Sequence, residues 1–173
     1  KGDFKNIAFD YENQTVTAGA GVPLIKLGYQ IAQQGFSGCA YMGVIPGTVG
    51  GAVRMNAGLT PNQETKNDFL SAVIFDTRAK KIKYCTKEQM AFKYRKSMLS
   101  KTSDIVLSVT FRLPDSKEAV KHEAITAIKN LFIKRRLQHP HNTRTFGSVF
   151  KNPENQPQAA AWYLEKVGMK GLK

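Results

Sequence analysis

The most informative stretch of this sequence for its fold is Ile45-Pro46-Gly47-Thr48-Val49-Gly50-Gly51-Ala52-Val53. Together with Gly43, just before it, the stretch holds four of the chain's 14 glycines. Glycine is costly to order on folding and buries no side chain, so its concentration here needs a reason. Two interpretations stay open from the residues alone. The segment is either a run of tight turns between strands, or a backbone surface that approaches a ligand without Cβ atoms in the way.

The order of these glycines differs from the two common phosphate-binding motifs. It is not the G-x-G-x-x-G of dinucleotide-binding folds, and no Lys-Ser or Lys-Thr pair follows as in a P-loop. A kinase-like phosphate cradle is therefore not expected here.

Composition bounds the class of protein. At 173 residues and 42% hydrophobic content, the chain is long enough for one large or two small globular domains. No apolar run is long enough to span a bilayer, and no signal-peptide pattern opens the sequence, so we expect a cytoplasmic protein without a membrane partner. Cys39 and Cys85 are expected to be reduced, buried thiols.

The net charge of +13 permits nucleic-acid binding, but it suits nucleotides and diphosphates equally well. The basic residues between Lys129 and Arg144 are interpreted as the solvated face of a helix, because no nucleic-acid motif accompanies them. His139 and His141 flank a proline with no carboxylate or cysteine set nearby, so no metal site is expected.

Hydrophobic periodicity predicts an α+β fold with a boundary near Pro114. A hairpin is predicted first, then a helix that ends at Gly35, and Ile105–Leu113 is expected to close the sheet. The predicted strands are Ile7–Tyr11, Thr15–Ala18, Phe69–Asp76, Lys81–Cys85 and Ile105–Leu113; the predicted helices are Leu24–Gln34, Lys87–Phe92, one that follows an N-cap in Pro114-Asp115-Ser116 and runs to about Leu137, and Ala159–Val167.

Three motifs occur in order along the chain. They are the glycine stretch continued by Met55-Asn56-Ala57-Gly58, then Phe92-Lys93-Tyr94-Arg95-Lys96-Ser97, then Gly147-Ser148-Val149-Phe150-Lys151-Asn152-Pro153. In this order they resemble the UDP-N-acetylenolpyruvoylglucosamine reductases, flavoenzymes also called UDP-N-acetylmuramate dehydrogenases (MurB). Gly19-Ala20-Gly21-Val22-Pro23-Leu24 before them and Ala161–Gly171 after them are similar to the same family. The resemblance covers nearly all of the chain.

The resemblance implies an FAD-binding domain of the p-cresol methylhydroxylase type, followed by the start of a MurB-type substrate-binding domain. The implied ranges are residues 1–113 and 114–173, each a partial domain. FAD would be held largely by backbone of the glycine stretch, with a hydroxyl from Thr48 and an amide from Asn56. The implied cofactor contacts are Ile45, Pro46, Gly47, Thr48, Gly50, Gly51 and Asn56.

The implied reaction belongs to peptidoglycan precursor synthesis and acts on a CH–CH bond. NADPH would reduce FAD, and the reduced flavin would pass a hydride to the enolpyruvyl group of a UDP-sugar, yielding UDP-N-acetylmuramate. Arg95 matches the arginine that stabilises the enolate-like charge, since a guanidinium grips a carboxylate and keeps its charge. Ser148 matches the proton donor. Tyr94, Lys151 and Asn152 are candidate substrate contacts, and for Tyr94 core packing stays an alternative.

The sequence also departs from the family pattern. The family's N-terminal pyrophosphate loop is expected before Lys1 and its late glutamate beyond Lys173, so an internal fragment, inactive alone, is expected. Ala40 stands where the family usually has a glutamate, and Leu59-Thr60-Pro61-Asn62 replaces an Ala-Tyr-Gly-like continuation. Two alternatives stay open: another flavin oxidoreductase of this fold, or a catalytically incomplete basic binding protein. A monomer is expected.

Overall fold

The computed structural model describes residues 4–113, 121–138 and 147–172. Two compact units divide the chain, Lys1–Gln138 and His139–Lys173. The first unit contains the strands β1 Ile7–Asp10, β2 Thr15–Gly19, β3 Phe69–Asp76, β4 Lys81–Thr86 and β5 Ile105–Arg112. They form a five-stranded antiparallel sheet in the order β1-β2-β5-β3-β4.

Strand β5 lies at the centre of this sheet and completes it by pairing with β2 on one side and β3 on the other. Val109 pairs with Ala18 of β2 on one side and with Ala72 of β3 on the other. Val106, Val109 and Phe111 are all buried. Strand β5 therefore joins two hairpins, β1–β2 and β3–β4, into one sheet.

Two α-helices of the first unit follow from recognisable end signals. Helix α1, Leu24–Gln33, begins after Pro23, which serves as its N-cap, and Gly35 after its end adopts a left-handed φ of 93°. Helix α2, Val49–Met55, begins after Thr48, whose hydroxyl accepts a hydrogen bond from the N–H of Gly51. The α-helices of this unit are α1 Leu24–Gln33, α2 Val49–Met55, α3 Thr65–Asp68 and α4 Lys121–Gln138, and its 3-10 helices are Ala40–Val44 and Met98–Lys101.

The segment Lys87–Phe92 forms turns, and the prediction of a short helix there was wrong. One turn does close, since the N–H of Met90 donates to the carbonyl of Thr86. Ala91 then takes a left-handed φ of 46°, a conformation that ends a right-handed helix.

Helix α4 packs on α1 and on the first 3-10 helix, with Ala124 and Ile128 fully buried. It thus belongs to the first compact unit. Residues 114–120, which hold the predicted break and N-cap, lie outside the described residues, and the predicted domain boundary near Pro114 stays a prediction. Cys39 and Cys85 are free and buried, which confirms the expectation for both.

In the second unit the described residues 147–172 include helix α5, Ala160–Lys166, close to the predicted range. None of the side chains described in this range is buried. No helix in the described parts of either unit is long and apolar enough to cross a bilayer.

Candidate functional site

The glycine stretch is hydrogen-bonded to the segment that links β2 to α1. Three backbone bonds of 2.9 Å join the two segments: Leu24 N–H to Gly47 O, Val49 N–H to Val22 O, and Gly50 N–H to Ala20 O. The fold therefore fixes the position of the stretch through its main chain.

The middle of the stretch offers unused backbone donors at the surface. Pro46, Gly47 and Thr48 are exposed. Across the described part of the chain, the N–H groups of Gly47 and Thr48 find no hydrogen-bond partner. Gly47 has a φ of +113°, which side chains rarely adopt, and a Cβ there would meet nothing within 4 Å.

The four glycines have different physical reasons. A Cβ on Gly43 would lie 2.8 Å from Ile128 side-chain atoms, and one on Gly50 would lie 3.0 Å from the Ala20 methyl. Gly47 needs its positive φ. None of these reasons requires glycine at position 51. Gly51 is exposed and helical, and a Cβ there would meet only the Thr48 hydroxyl at an ordinary 3.4 Å. The turns-only interpretation accounts for Gly47 but leaves Gly51 without a role in the fold.

Arg95 lies at the tip of a tight turn. Lys93 and Lys96 exchange two backbone hydrogen bonds, of 2.9 and 3.1 Å, which makes Tyr94 and Arg95 the central residues. Arg95 has a φ of 51°, an uncommon conformation for a residue with a side chain. Such strain tends to occur at functional sites. The 3-10 helix Met98–Lys101 follows this turn.

The Arg95 guanidinium is held over the end of helix α2. Nη2 donates to Gly58 O at 2.6 Å and Nη1 to Asn56 O at 3.3 Å. The Tyr94 ring lies under the guanidinium, with 4.9 Å from Cζ to the ring centroid. The Arg95 side chain remains 28% exposed, so an anion can reach it from solvent.

Glu64 lies next to Arg95, although no motif of the sequence includes it. Glu64 is 4% exposed. Its Oε1 lies 3.6 Å from Arg95 Nη1, and its Oε2 lies 2.9 Å from Lys66 Nζ. No periodicity or motif of the polar loop signals this burial; a charged loop residue between stretches of polar sequence looks solvated.

Asn56, a predicted cofactor contact, is fully buried and forms the C-cap of α2 with a left-handed φ of 43°. Its Nδ2 donates to Glu64 Oε2 at 2.9 Å and to Lys93 O at 3.0 Å, and its Oδ1 accepts from the N–H of Lys66 at 2.9 Å. The amide thus has a full set of structural partners. Its proposed contact with the cofactor stays a prediction.

A second buried polar group adjoins this cluster. The Tyr41 hydroxyl lies 2.9 Å from Asp68 Oδ2 and 3.1 Å from Glu64 O. Burial raises the pKa of Asp68, although hydrogen bonds from Tyr41 and Cys39 oppose the rise. Burial and the neighbouring Asp68 charge raise the pKa values of Cys39 and Tyr41 as well, so both are neutral near pH 7.

The remaining predicted site residues lie in the second unit. Ser148, Lys151 and Asn152 are all exposed. The Asn152 side chain accepts a hydrogen bond of 3.0 Å from the Ala160 N–H and so caps the start of α5. His139 and His141 lie outside the described residues.

Comparison with known proteins defines the class. Residues 2–74 match the FAD binding domain family, so the glycine stretch and the strands around it belong to a flavin-binding fold. The α+β flavin fold expected from the sequence is confirmed.

The particular family follows from individual relatives. A UDP-N-acetylenolpyruvoylglucosamine reductase from Halalkalibacterium halodurans is 37% identical over 95% of this chain and 52% of its own length. One from Anoxybacillus flavithermus is 38% identical over 90% and 50%. The crystal structure of the reductase (MurB) from Thermus caldophilus, 31% identical, superposes with a TM-score of 0.77 over 100% of this chain and 59% of that one. The chain belongs to the UDP-N-acetylenolpyruvoylglucosamine reductase family and spans about half the length of these curated relatives.

The residues of the glycine stretch suit FAD. The cofactor carries a diphosphate, for which unpaired backbone N–H groups are suitable donors, and a flat ring system that packs against surfaces without Cβ atoms. Gly47 and Thr48 provide such donors, and Gly47 and Gly51 provide such a surface.

Proposed function

We propose that this chain supplies the flavin-binding and arginine-bearing part of an NADPH-dependent reductase that converts UDP-N-acetylglucosamine enolpyruvate to UDP-N-acetylmuramate. The observation that carries the proposal is Arg95, strained, fixed by two carbonyls and still open to solvent, in a protein of this family. A surface arginine without a ligand would have no need of this arrangement.

FAD, when bound, would carry hydride from NADPH to C3 of the enolpyruvyl ether. The glycine stretch would hold it through backbone of Ile45, Pro46, Gly47, Gly50 and Gly51 and the hydroxyl of Thr48. The hydrogen bond that the Thr48 hydroxyl accepts from the Gly51 N–H fixes the start of α2 in that position.

Arg95 would bind the enolpyruvyl carboxylate. Negative charge spreads onto that carboxylate as C3 accepts the hydride, and a guanidinium gains attraction at that moment. Its fixed position means that little side-chain entropy is lost on binding. Tyr94, stacked on the guanidinium, would keep its plane oriented.

Ser148 would give a proton to C2, which completes the addition of two hydrogens across the double bond. A serine hydroxyl is a weak acid, so the alkoxide left behind needs a nearby cation, and Lys151 is the candidate. Asn152 is a candidate hydrogen-bond partner of the substrate.

Gly51→Ala tests the flavin assignment. Alanine favours a helix over glycine by about 0.5–1 kcal/mol, so the free energy of unfolding should rise by that amount. FAD affinity, measured by flavin fluorescence quenching, should fall at the same time. Gln30→Ala in α1 is a control that should leave flavin affinity unchanged. Unchanged affinity in Gly51→Ala would remove this surface from the flavin site.

Arg95→Ala and Ser148→Ala test the chemistry, in a protein of the relatives' length that carries this segment. Each variant should keep the bound-flavin spectrum and reduction by NADPH, while turnover of the enolpyruvyl substrate falls about a hundredfold or more. Lys5→Ala is a surface control. Full turnover in either site variant would remove that residue from the mechanism.

A further inference from the structure

Arg95 faces a carboxylate inside its own protein, which ought to weaken its attraction for a substrate carboxylate. Glu64 Oε1 is 3.6 Å from Arg95 Nη1, and Glu64 is almost fully buried. An opposite charge at that distance neutralises a cation effectively when little water intervenes. Unless another cation of the cluster compensates the charge of Glu64, Arg95 would attract a substrate carboxylate only weakly.

Lys66 provides the offset. Its ammonium lies 2.9 Å from Glu64 Oε2, a shorter separation than the one between Glu64 and Arg95. Asn56 donates to the same Oε2. The more strongly bound oxygen is thus the one turned away from Arg95, and the three charged groups sum to one positive charge.

The backbone of Glu64 is held by neutral groups. Its backbone N–H donates to Asn67 Oδ1 at 3.1 Å, and its carbonyl lies 3.1 Å from the Tyr41 hydroxyl. Arg95 has only backbone carbonyls and Glu64 as polar partners in the described part of the chain. Loss of the Glu64 charge would leave the guanidinium held by two neutral acceptors.

We propose that Glu64 is a positioning residue that orients Arg95, and that Lys66 takes up most of its charge so that Arg95 remains cationic towards a carboxylate ligand. The positioning part stands on this cluster alone. The carboxylate part rests on the proposed function.

The positioning is tested on the 173-residue chain by nitrogen-15 NMR of arginine side chains. A guanidinium fixed by several acceptors rotates slowly and shows resolved Nη signals. We expect resolved signals for Arg95 in the unmodified chain and averaged signals in Glu64→Gln. Glu12→Gln, the same change in an exposed turn, is the matched control. Resolved Arg95 signals in a folded Glu64→Gln variant would overturn the proposal.

Lys66→Met keeps the test decisive if Glu64→Gln does not fold, because Lys66 is partly exposed and methionine preserves most of its stem. Arg95 should stay resolved in this variant, since Glu64 then pairs with Arg95 alone. Averaged signals would contradict the assigned division of charge.

Kinetics in a protein of the relatives' length separate the two roles. Lys66→Met should raise KM for the enolpyruvyl substrate about two- to fivefold with kcat nearly unchanged, the effect of one lost attraction at a partly exposed site. Glu64→Gln should instead lower kcat about tenfold to a hundredfold, because misplaced contacts act on the transition state. An unchanged KM in Lys66→Met would overturn the charge-sharing part. Absence of turnover in the unmodified protein would contradict the proposed function and leave the NMR result standing.

Discussion

Asn56 is the residue on which most of the site depends. It ends α2 in a left-handed conformation, and its amide connects Glu64, Lys66 and the turn that carries Arg95. Asparagine is among the few residues that adopt this conformation readily and also provide both donors and an acceptor. Both properties are needed here, because the amide is fully buried.

Asn56→Ala should lower the free energy of unfolding by about 2–4 kcal/mol, because the buried carboxylate of Glu64 loses a donor and the backbone keeps its strained φ. Asn56→Gly loses the same hydrogen bonds but relieves the strain, so it should be about 1 kcal/mol less destabilised than Asn56→Ala. Urea unfolding at neutral pH measures both. Equal values for the two variants would mean that the left-handed backbone costs nothing here.

Asp68 should make the free energy of unfolding fall as the pH rises. Its pKa is raised by burial, so between the ordinary and the raised value the folded protein holds a proton that the unfolded chain has released. The resulting stabilisation is complete below the ordinary pKa and is lost as pH rises through the raised one. The Tyr41 hydroxyl lies near two acceptors, Glu64 O and Asp68 Oδ2, but has only one proton to donate. A protonated Asp68 supplies a second proton, so both hydrogen bonds can form.

In Asp68→Asn, we therefore expect this fall in the free energy of unfolding to disappear. Urea unfolding between about pH 4 and pH 7 measures the slope. Asp10→Asn is a control of opposite sign, since hydrogen bonds from Asn13 lower the pKa of the exposed Asp10. A slope that persists in Asp68→Asn would assign it to another group.

At the scale of elements, two glycines let three helical segments meet. Gly28 of α1 faces Gly43 of the first 3-10 helix, and Gly43 in turn faces Ile128 of α4. A Cβ at Gly28 would overlap the backbone of Gly43, whereas the three atoms nearest to a Cβ at Gly43 would all be side-chain atoms of Ile128. Backbone moves less easily than a side chain, so the two positions differ in tolerance.

Gly28→Ala should therefore destabilise the fold by about 3 kcal/mol or more, and Gly43→Ala by about 1–3 kcal/mol. Combining Gly43→Ala with Ile128→Val should recover part of the loss, because a smaller side chain makes room. Thermal unfolding ranks the variants. A Gly43→Ala variant that is less stable than Gly28→Ala would show that α4 is held more rigidly than its side-chain contact suggests.

The sequence predicted the elements better than their arrangement. Alternation located all five strands within about one residue at each end, and Pro23 with Gly35 bounded α1, because these signals are local. The central position of β5 depends on pairing partners about 40 and 90 residues away along the chain, which periodicity does not encode. The helix prediction for Lys87–Phe92 was wrong because Ala91 adopts a left-handed φ, which an alanine in the sequence does not indicate.

The candidate site also contains some residues that the sequence predicts and others that it does not. Arg95 and the glycine stretch were found because they belong to motifs. Glu64 was missed because its role comes from contacts with Asn56 and Arg95 across a polar loop. Burial of a charge is a tertiary property, and the sequence around Glu64 reads as solvated.

At the scale of the whole molecule, the two units differ in how much they bury. The first unit has an extensive apolar core that includes Val16, Leu27, Phe69 and Phe111. The described residues 147–172 of the second unit have no buried side chain. Local stability follows buried apolar contacts, so the units should not open with the same free energy.

Amide hydrogen exchange should reveal this difference. Amides of β5 should exchange at least about a thousandfold more slowly than those of α5, because the former open only with the core. Mass spectrometry of peptic fragments measures both. Matching protection in α5 and β5 would indicate that the second unit has stabilising contacts of its own.

The position of β5 has a consequence for how the chain folds as it is made. The β1–β2 and β3–β4 hairpins emerge from the ribosome first, but neither has the neighbour that the finished sheet gives it until residues 105–112 arrive. Until then both hairpins carry open edges, which are templates for pairing with other chains. Insertion of β5 should therefore be the late, rate-limiting event in folding, and a nascent chain paused before it would be the species most in need of a chaperone.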